Sequence, residues 1–139
     1  MNGYPLSIPY SVRLSDINYA GHVGNPSILN FFQDARIAYL AAIGPYSELD
    51  IGEECATRVL EAHVRYLAEL FHGEALEIGV RIGELQETRF VMNYRIDRNG
   101  RPAAEGTTTV GCFRHGTPVP PPEAFREAVT RFEGTAQDS

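Results

Sequence analysis

The sequence predicts an α+β domain in which one long antiparallel β-sheet wraps around a single central buried α-helix. Three observations carry this expectation. Residues 25–43 are apolar on almost every helical face, the pattern of a buried helix rather than a surface one. The later part of the chain alternates apolar and polar residues with the period of a strand. Its alternating stretches are joined by short turns, which suit antiparallel neighbours.

Residues 7–14 open the chain as a strand: Ile8, Tyr10, Val12 and Leu14 alternate with Ser7, Pro9, Ser11 and Arg13. Pro9 cannot donate to a ladder and suggests an edge position. The loop SDINYAGHVGN (15–25) follows. Asn25 is expected as helix N-cap, with Pro26 at the first helical position. Ile28, Phe31, Phe32, Ala35, Ala38, Tyr39 and Ala42 recur at helical spacing, and Leu29, Ile37, Leu40 and Ile43 fill other faces. Gly44 and Pro45 end the helix. Asn30, Gln33, Asp34 and Arg36 interrupt its apolar surface and need a reason.

After a loop at 45–56, residues 57–68 place Leu60, Ala62, Val64 and Tyr66 on one strand face. Residues 75–86 set Leu76, Ile78, Val80 and Ile82 against Glu77, Gly79, Arg81 and Gly83. Residues 88–97 put Phe90, Met92, Tyr94 and Ile96 on one face. Asn99-Gly100 is a hairpin signal, and residues 103–114 form the return strand. PVPPPEAF breaks the pattern, and a short helix is expected over 122–132. With no repeat, low-complexity tract or linker, residues 1–139 read as one domain.

Composition narrows the function. A net charge of -6 argues against general nucleic-acid binding. All twelve basic residues are Arg, so a Schiff-base lysine and a lysine-bearing phosphate loop are both excluded. Cys55 and Cys112 are sparse and form no CxxC pattern, which points to reduced thiols and away from a cysteine zinc site. The spacing of His63, His72 and His115 does not suit a metal, so no metal and no cofactor are expected. The first residues lack the basic and apolar regions of a signal peptide, and no apolar run reaches the ~20 residues needed to span a bilayer. A cytoplasmic protein without membrane contact is the expectation.

VRLSDINYAGHVGNPSILNFFQDARIAYLAAIG (12–44) resembles the opening of the 4-hydroxybenzoyl-CoA thioesterase-like branch of the hotdog superfamily. Members show D-x-D-x-x-G-H-V-x-N, then a helix with an acid two residues before an Arg. Asp16, Gly21, His22, Val23, Asn25, Asp34 and Arg36 match. VRYLAELFHGEALEIGV (64–80) resembles the segment that follows, where a Tyr strand leads to a Gly-acid turn. The resemblance implies a hotdog fold and hydrolysis of an acyl-CoA thioester to free acid and thiol. The family's usual acid is the second Asp of D-x-D, and here that position is Asn18. Other members carry Asn there, and others take the carboxylate from a helical acid-Ala pair like Asp34-Ala35.

Thioester hydrolysis needs a group that activates water and donors aimed at the developing oxyanion. The backbone N–H groups of Gly24 and Asn25, at a helix start, suit the second role. Asp34 is the leading acid; on an apolar helix it should be at least partly buried, as a catalytic group or as the partner of a strand Arg, the alternative being simple exposure at a dimer seam. Asp16 could be a base or a loop cap. Asn18 cannot take a proton but could orient water or the carbonyl, and the two would point the same way in an extended loop. His22 could donate, or act in acid–base chemistry, or lock the loop. If coenzyme A is the carrier, an Arg cluster should meet its phosphates, with Arg89 first, then Arg58 and Arg114.

Two rivals stand beside the thioesterase reading. A non-catalytic acyl-thioester binding or assembly module is favoured by Asn18. A hotdog enoyl-CoA hydratase is weaker, because the acid and His22 are one residue further apart than in its D-x-N-P-x-H box. One sheet around one helix leaves edges and an apolar groove uncovered, so a homodimer or a tetramer of dimers is expected.

Overall fold

The computed structural model describes residues 1–137, with side chains through 135. Its strands are β1 (Leu6–Ser11), β2 (Ala56–Tyr66), β3 (Ala75–Leu85), β4 (Arg89–Arg98), β5 (Arg101–Arg114) and β6 (Thr117–Pro118). Its helices are α1 (Asn25–Ile43) and α2 (Glu123–Gln137). The main sheet is antiparallel in the order β1-β3-β4-β5-β2, with β6 pairing β5. Its concave face closes on α1, as the sequence predicts: this is a hotdog fold.

Alternation decides which residues meet the helix. Leu76, Ile78, Val80, Phe90, Met92, Tyr94, Ile96, Val110 and Cys112 are buried in one core with Ile28, Phe31, Phe32, Ala35, Tyr39 and Leu40 of α1. Phe32 stacks on Tyr94 with ring centroids 4.4 Å apart. Gly106 makes that stack possible. A Cβ built there would meet the Phe32 ring at 2.4 Å and the His63 carbonyl at 2.8 Å. Gly106→Ala should therefore lower stability by about 1–3 kcal/mol through overpacking, read as a drop in the urea midpoint. An unchanged midpoint would mean that the ring yields freely.

Several expectations change in detail. Gly24, not Asn25, is the helix N-cap, and no side chain caps the first turn. The Gly24 carbonyl accepts from Ser27 and Ile28 N–H instead, which leaves the Asn25 side chain free to face a cavity. Gly44 ends α1 in extended geometry, φ 169°, so left-handed freedom is not why glycine stands there. The Tyr46 ring lies where its Cβ would be, 2.6 Å away. A bulge between Val59 and Glu61 breaks the single face expected for β2. Ala62, Val64 and Tyr66 pair with the helix-facing residues Thr108, Gly106 and Ala104. Leu60 instead packs beside Gly111 and Phe113 on the outer face. His115-Gly116, with φ of 50° and 80°, turns β5 into β6, a hairpin the PVPPPEAF break concealed.

The helix is not covered all round. Leu29, Asn30, Gln33, Asp34, Ile37 and Ala41 form an exposed stripe, and most of β2 is exposed beside it. A lone sheet cannot wrap both flanks of one helix, so the apolar surface predicted to be buried is only partly so within one chain. Helix α2 covers the far end: Phe125 packs on Tyr46 and Phe90, and Phe132 meets Tyr39 edge-on. Glu133 of α2 accepts from the Tyr39 hydroxyl at 2.5 Å and from the Ile82 N–H at 3.0 Å.

Candidate active site at the start of the central helix

The loop before α1 is held by its own backbone. Leu14–Asp16 make one 3-10 turn. Ile17 and Val23 then bridge antiparallel around the exposed turn Asn18–Gly21, where Gly21 has φ +87°. Val23 N–H donates to the Leu70 carbonyl at 2.8 Å, tying the loop to the segment after β2. Gly24 N–H donates to the Asp16 carbonyl at 3.1 Å. These bonds fix where the first helical N–H points. Pro26 has none, and among the described residues Asn25 N–H has no partner. It therefore carries the positive end of the helix dipole alone. Of the two expected oxyanion donors, Gly24 is spent on Asp16 and Asn25 is available.

Around this point lies a cavity of about 360 Å³. His22, Val23, Asn25 and Ile28 form one wall; Tyr66–Leu70, Ala103 and Ala104 form the other. Apart from His22, Asn25 and Glu69 the named side chains are apolar or aromatic, a setting that strengthens a hydrogen bond to a developing charge. His22 is half-buried, with Nδ1 3.2 Å from the Val23 carbonyl. A carbonyl only accepts, so Nδ1 carries the proton and Nε2 is the acceptor in the neutral ring. Sequence reasoning did not find the second wall, because Tyr66–Leu70 reaches the loop only through the Val23–Leu70 bond.

Asp16 and Asn18 do not point the same way, because the 3-10 turn replaces the extended loop. Asp16 Oδ2 accepts from the Tyr10 hydroxyl at 2.7 Å and from Arg13 N–H at 2.8 Å. Burial, then the bond and charge of Asp16, push the Tyr10 hydroxyl up to about 12. Asn18 is exposed, and its Oδ1 accepts from Ala20 N–H at 3.0 Å. Its Nδ2 turns toward Gly24, 3.8 Å from the position a Cβ would take.

Asp34 is exposed, contrary to the burial expected of it. It sits on the uncovered stripe of α1, nine residues beyond Asn25, or roughly 13 Å along the helix axis. Arg36 is the buried polar residue of this helix. Its Nε donates to Glu48 Oε1 at 2.6 Å and its Nη1 to the Tyr94 hydroxyl at 3.1 Å. Tyr94 shares a 2.7 Å bond with Thr108, and Gln33 reaches Glu48 at 3.4 Å. The sequence signal was visible, an Arg in an apolar helix; its partners lie 12 and 58 residues away.

The three candidate coenzyme arginines do not gather. Arg58 and Arg89 both pair with Gly111, so they flank it on the outer sheet face. Arg58 lies over the Phe113 ring at 4.3 Å. Arg114 turns away and donates to the Glu53 carbonyl at 2.8 Å. Gly111 is seven residues along β5 from the cavity wall at Ala104, or about 23 Å. Within one chain none of the three serves a ligand in the cavity. His63, His72 and His115 are exposed, and among the described residues no three His, Cys, Asp or Glu side chains could hold a metal ion.

Comparison with known proteins gives the family and the fold of the chain. The sequence profile of the thioesterase-like superfamily matches residues 12–129. A thioesterase from Thermus thermophilus, solved with coenzyme A and Zn, superposes with a TM-score of 0.88 at 31% identity over 96% of this chain and 98% of that one. A gentisyl-coenzyme A thioesterase superposes with a TM-score of 0.78 at 25% identity, covering 90% and 99%. A 1,4-dihydroxy-2-naphthoyl-CoA thioesterase from Synechocystis, 21% identical over 89% and 94%, shares the fold with a TM-score of 0.80.

Proposed function

The chain belongs to the thioesterase-like superfamily, and from this premise we propose that it hydrolyses acyl-CoA thioesters with the acyl carbonyl seated at the start of α1. One observation carries the reading: the unpartnered Asn25 N–H opens on a largely apolar cavity. Water attacks the thioester carbon, and the carbonyl oxygen becomes an oxyanion. Asn25 N–H and the helix dipole stabilise that charge, and Asn18 Nδ2 supplies a donor to the oxyanion or the water. Collapse of the intermediate breaks the C–S bond. The acid leaves as carboxylate, and the coenzyme A thiolate takes up a proton.

The proton of the attacking water needs a base. Asp34 fits if two chains share the site. Its own cavity is too far along α1, but the exposed stripe and the unpaired β2 edge offer a surface on which a second α1 and β2 would run antiparallel. Leu29, Ile37, Val59, Tyr66 and Leu67 are all between 39% and 49% exposed on or next to these elements, too much apolar surface to leave in water. The protein is then a homodimer or a dimer of dimers, and each cavity borrows Asp34 from the neighbour. A second reading rests on Asp16, half-buried and bonded through its carbonyl to Gly24. It keeps the acid within one chain.

Light scattering at micromolar concentration should give at least twice the 15.4 kDa chain mass; a monomer would rule out the shared site. Thiol release from a panel of acyl-CoAs tests the reaction itself. Release with matching free acid is the expected result. Substrate bound without release would make the protein a binding module, and an intact but hydrated enoyl thioester would make it a hydratase. No described helix is long and apolar enough to cross a membrane. Both cysteines are buried free thiols, which suit the reducing conditions of a cytoplasmic location.

A further inference from the structure

The two cysteines take no part in the site at the start of α1, and the fold brings them together elsewhere. In the β2–β5 ladder Thr57 stands opposite Cys112 and Ala56 opposite Phe113. Cys55 precedes β2 and shares a face with Thr57, so it falls diagonally across from Cys112. Both side chains are fully buried in the one core. The Cys55 Sγ–H points to the Ala56 carbonyl 3.8 Å away. Its sulfur accepts from the Cys112 thiol and from Phe113 N–H. Two thiols in contact carry a chemistry that an aliphatic pair filling the same corner would lack.

A short turn covers the pair. Gly52, Glu53 and Glu54 have φ of 99°, 51° and 59°. Two successive glutamates therefore hold the left-handed conformation that L side chains disfavour. Ile51, fully buried, anchors one end, and its N–H donates to the Cys55 carbonyl at 2.9 Å. Arg114 donates to the Glu53 carbonyl at 2.8 Å. A strained turn on the surface opens before the core beneath it does.

We infer that Cys55 and Cys112 are a redox-sensitive pair that hydrogen peroxide converts to an intrachain disulfide. Opening of the 52–54 turn admits the oxidant to Cys55. The Cys55 thiolate attacks one peroxide oxygen and the O–O bond breaks, leaving a sulfenic acid; the departing hydroxide takes up the thiol proton as water. The Cys112 sulfur then displaces the sulfenic hydroxyl. An S–S bond forms, the S–O bond breaks, and a second water carries off the Cys112 proton. Two electrons pass from the thiols to one peroxide. Burial pushes both thiols up, Cys112 to about 12, so the closed protein reacts slowly. At Cys55 the Cys112 thiol, Phe113 N–H and Arg114 partly offset burial, which makes Cys55 the attacking sulfur.

The bridge would close a ring holding all of β2, β3 and β4 and most of β5. A long ring removes much freedom from the unfolded chain. Cys112 lies eight residues along β5 from the cavity wall at Ala104, about 26 Å, so turnover should not change.

Intact mass, non-reducing peptide mapping and urea unfolding of peroxide-treated protein test the pair. The wild type should lose about 2 Da and yield one linked peptide pair, Cys55 to Cys112, that a reductant separates. Its urea midpoint should rise by about 1 M or more over the reduced protein. Cys112→Ala should gain oxygen at Cys55 and show no such rise. Ile51→Ala, which loosens the turn, should form the bridge severalfold faster. Two alkylatable thiols left in treated and then denatured wild type, or cross-links only between chains, would overturn the pair. A bridged protein with an unchanged midpoint would overturn its stabilising role, and an unchanged rate in Ile51→Ala would overturn the turn as the route of access.

Discussion

Asp34→Asn should cut kcat for acyl-CoA hydrolysis by roughly 10²-fold or more, the scale of a lost general base. The oligomer and the affinity for coenzyme A should survive. The carboxylate is exposed on α1 and makes no hydrogen bond or ion pair among the described residues, so its amide should not disturb the fold. That exposure removes the ion-pair role the sequence left open and makes the test cleaner. Asp16→Asn should do less to kcat and more to stability, because it weakens the bonds from Tyr10 and Arg13. Asn18→Asp would restore the acid found more often at that place in the family, and in an Asp34→Asn background it should recover part of the rate. Normal turnover in Asp34→Asn with a dead Asp16→Asn would move the acid to the loop. Activity in both would end the carboxylate mechanism.

Arg36→Met should lose about 3 kcal/mol of stability, the lower end for breaking a buried ion pair. The lower end applies because the Glu48 side chain keeps 25% of its surface in water while that of Arg36 keeps 8%. The loss arises from what stays behind. Glu48 retains only the long contact from Gln33, and the Tyr94 hydroxyl keeps Thr108 alone. The Glu48 carbonyl also accepts from Thr57 N–H and Oγ1, both at 2.7 Å, so the loop before β2 should loosen with it. Denaturant unfolding checks the magnitude. A double-mutant cycle with Glu48→Gln should show strong coupling, and additive losses would mean that the pair contributes nothing of its own.

The fold was legible because its signals are local. Period-two alternation in β3 and β4, the Asn99-Gly100 turn with φ of 52° and 76°, and the apolar run of α1 each need only neighbouring residues. What went unread is set by distant contacts or by a one-residue irregularity. The β2 bulge moves Leu60 to the other face and leaves no mark in the hydrophobic pattern. The N-cap shifted from Asn25 to Gly24 because the loop spends its hydrogen bonds elsewhere, on Asp16, Leu70 and His22. Asp34 looked buried because an all-round apolar helix implies full burial, and one chain covers only part of it. At the site, the loop residues His22, Gly24 and Asn25 do gather at the helix start. Residue type alone points to Arg58, Arg89 and Arg114 as coenzyme ligands, and the sheet register places Arg58 and Arg89 beside Gly111, away from the cavity.

The most direct measurement is a crystal structure with a non-hydrolysable acyl-CoA analogue. The acyl carbonyl oxygen should lie within about 2.7–3.1 Å of Asn25 N, the reach of an oxyanion donor. The acyl group should fill the cavity between Ile28 and Tyr66, with a second chain's Asp34 facing the carbonyl. An acyl group found instead in the outer-face groove lined by Tyr4, His63 and Thr107, with Asn25 N–H left to water, would contradict the account.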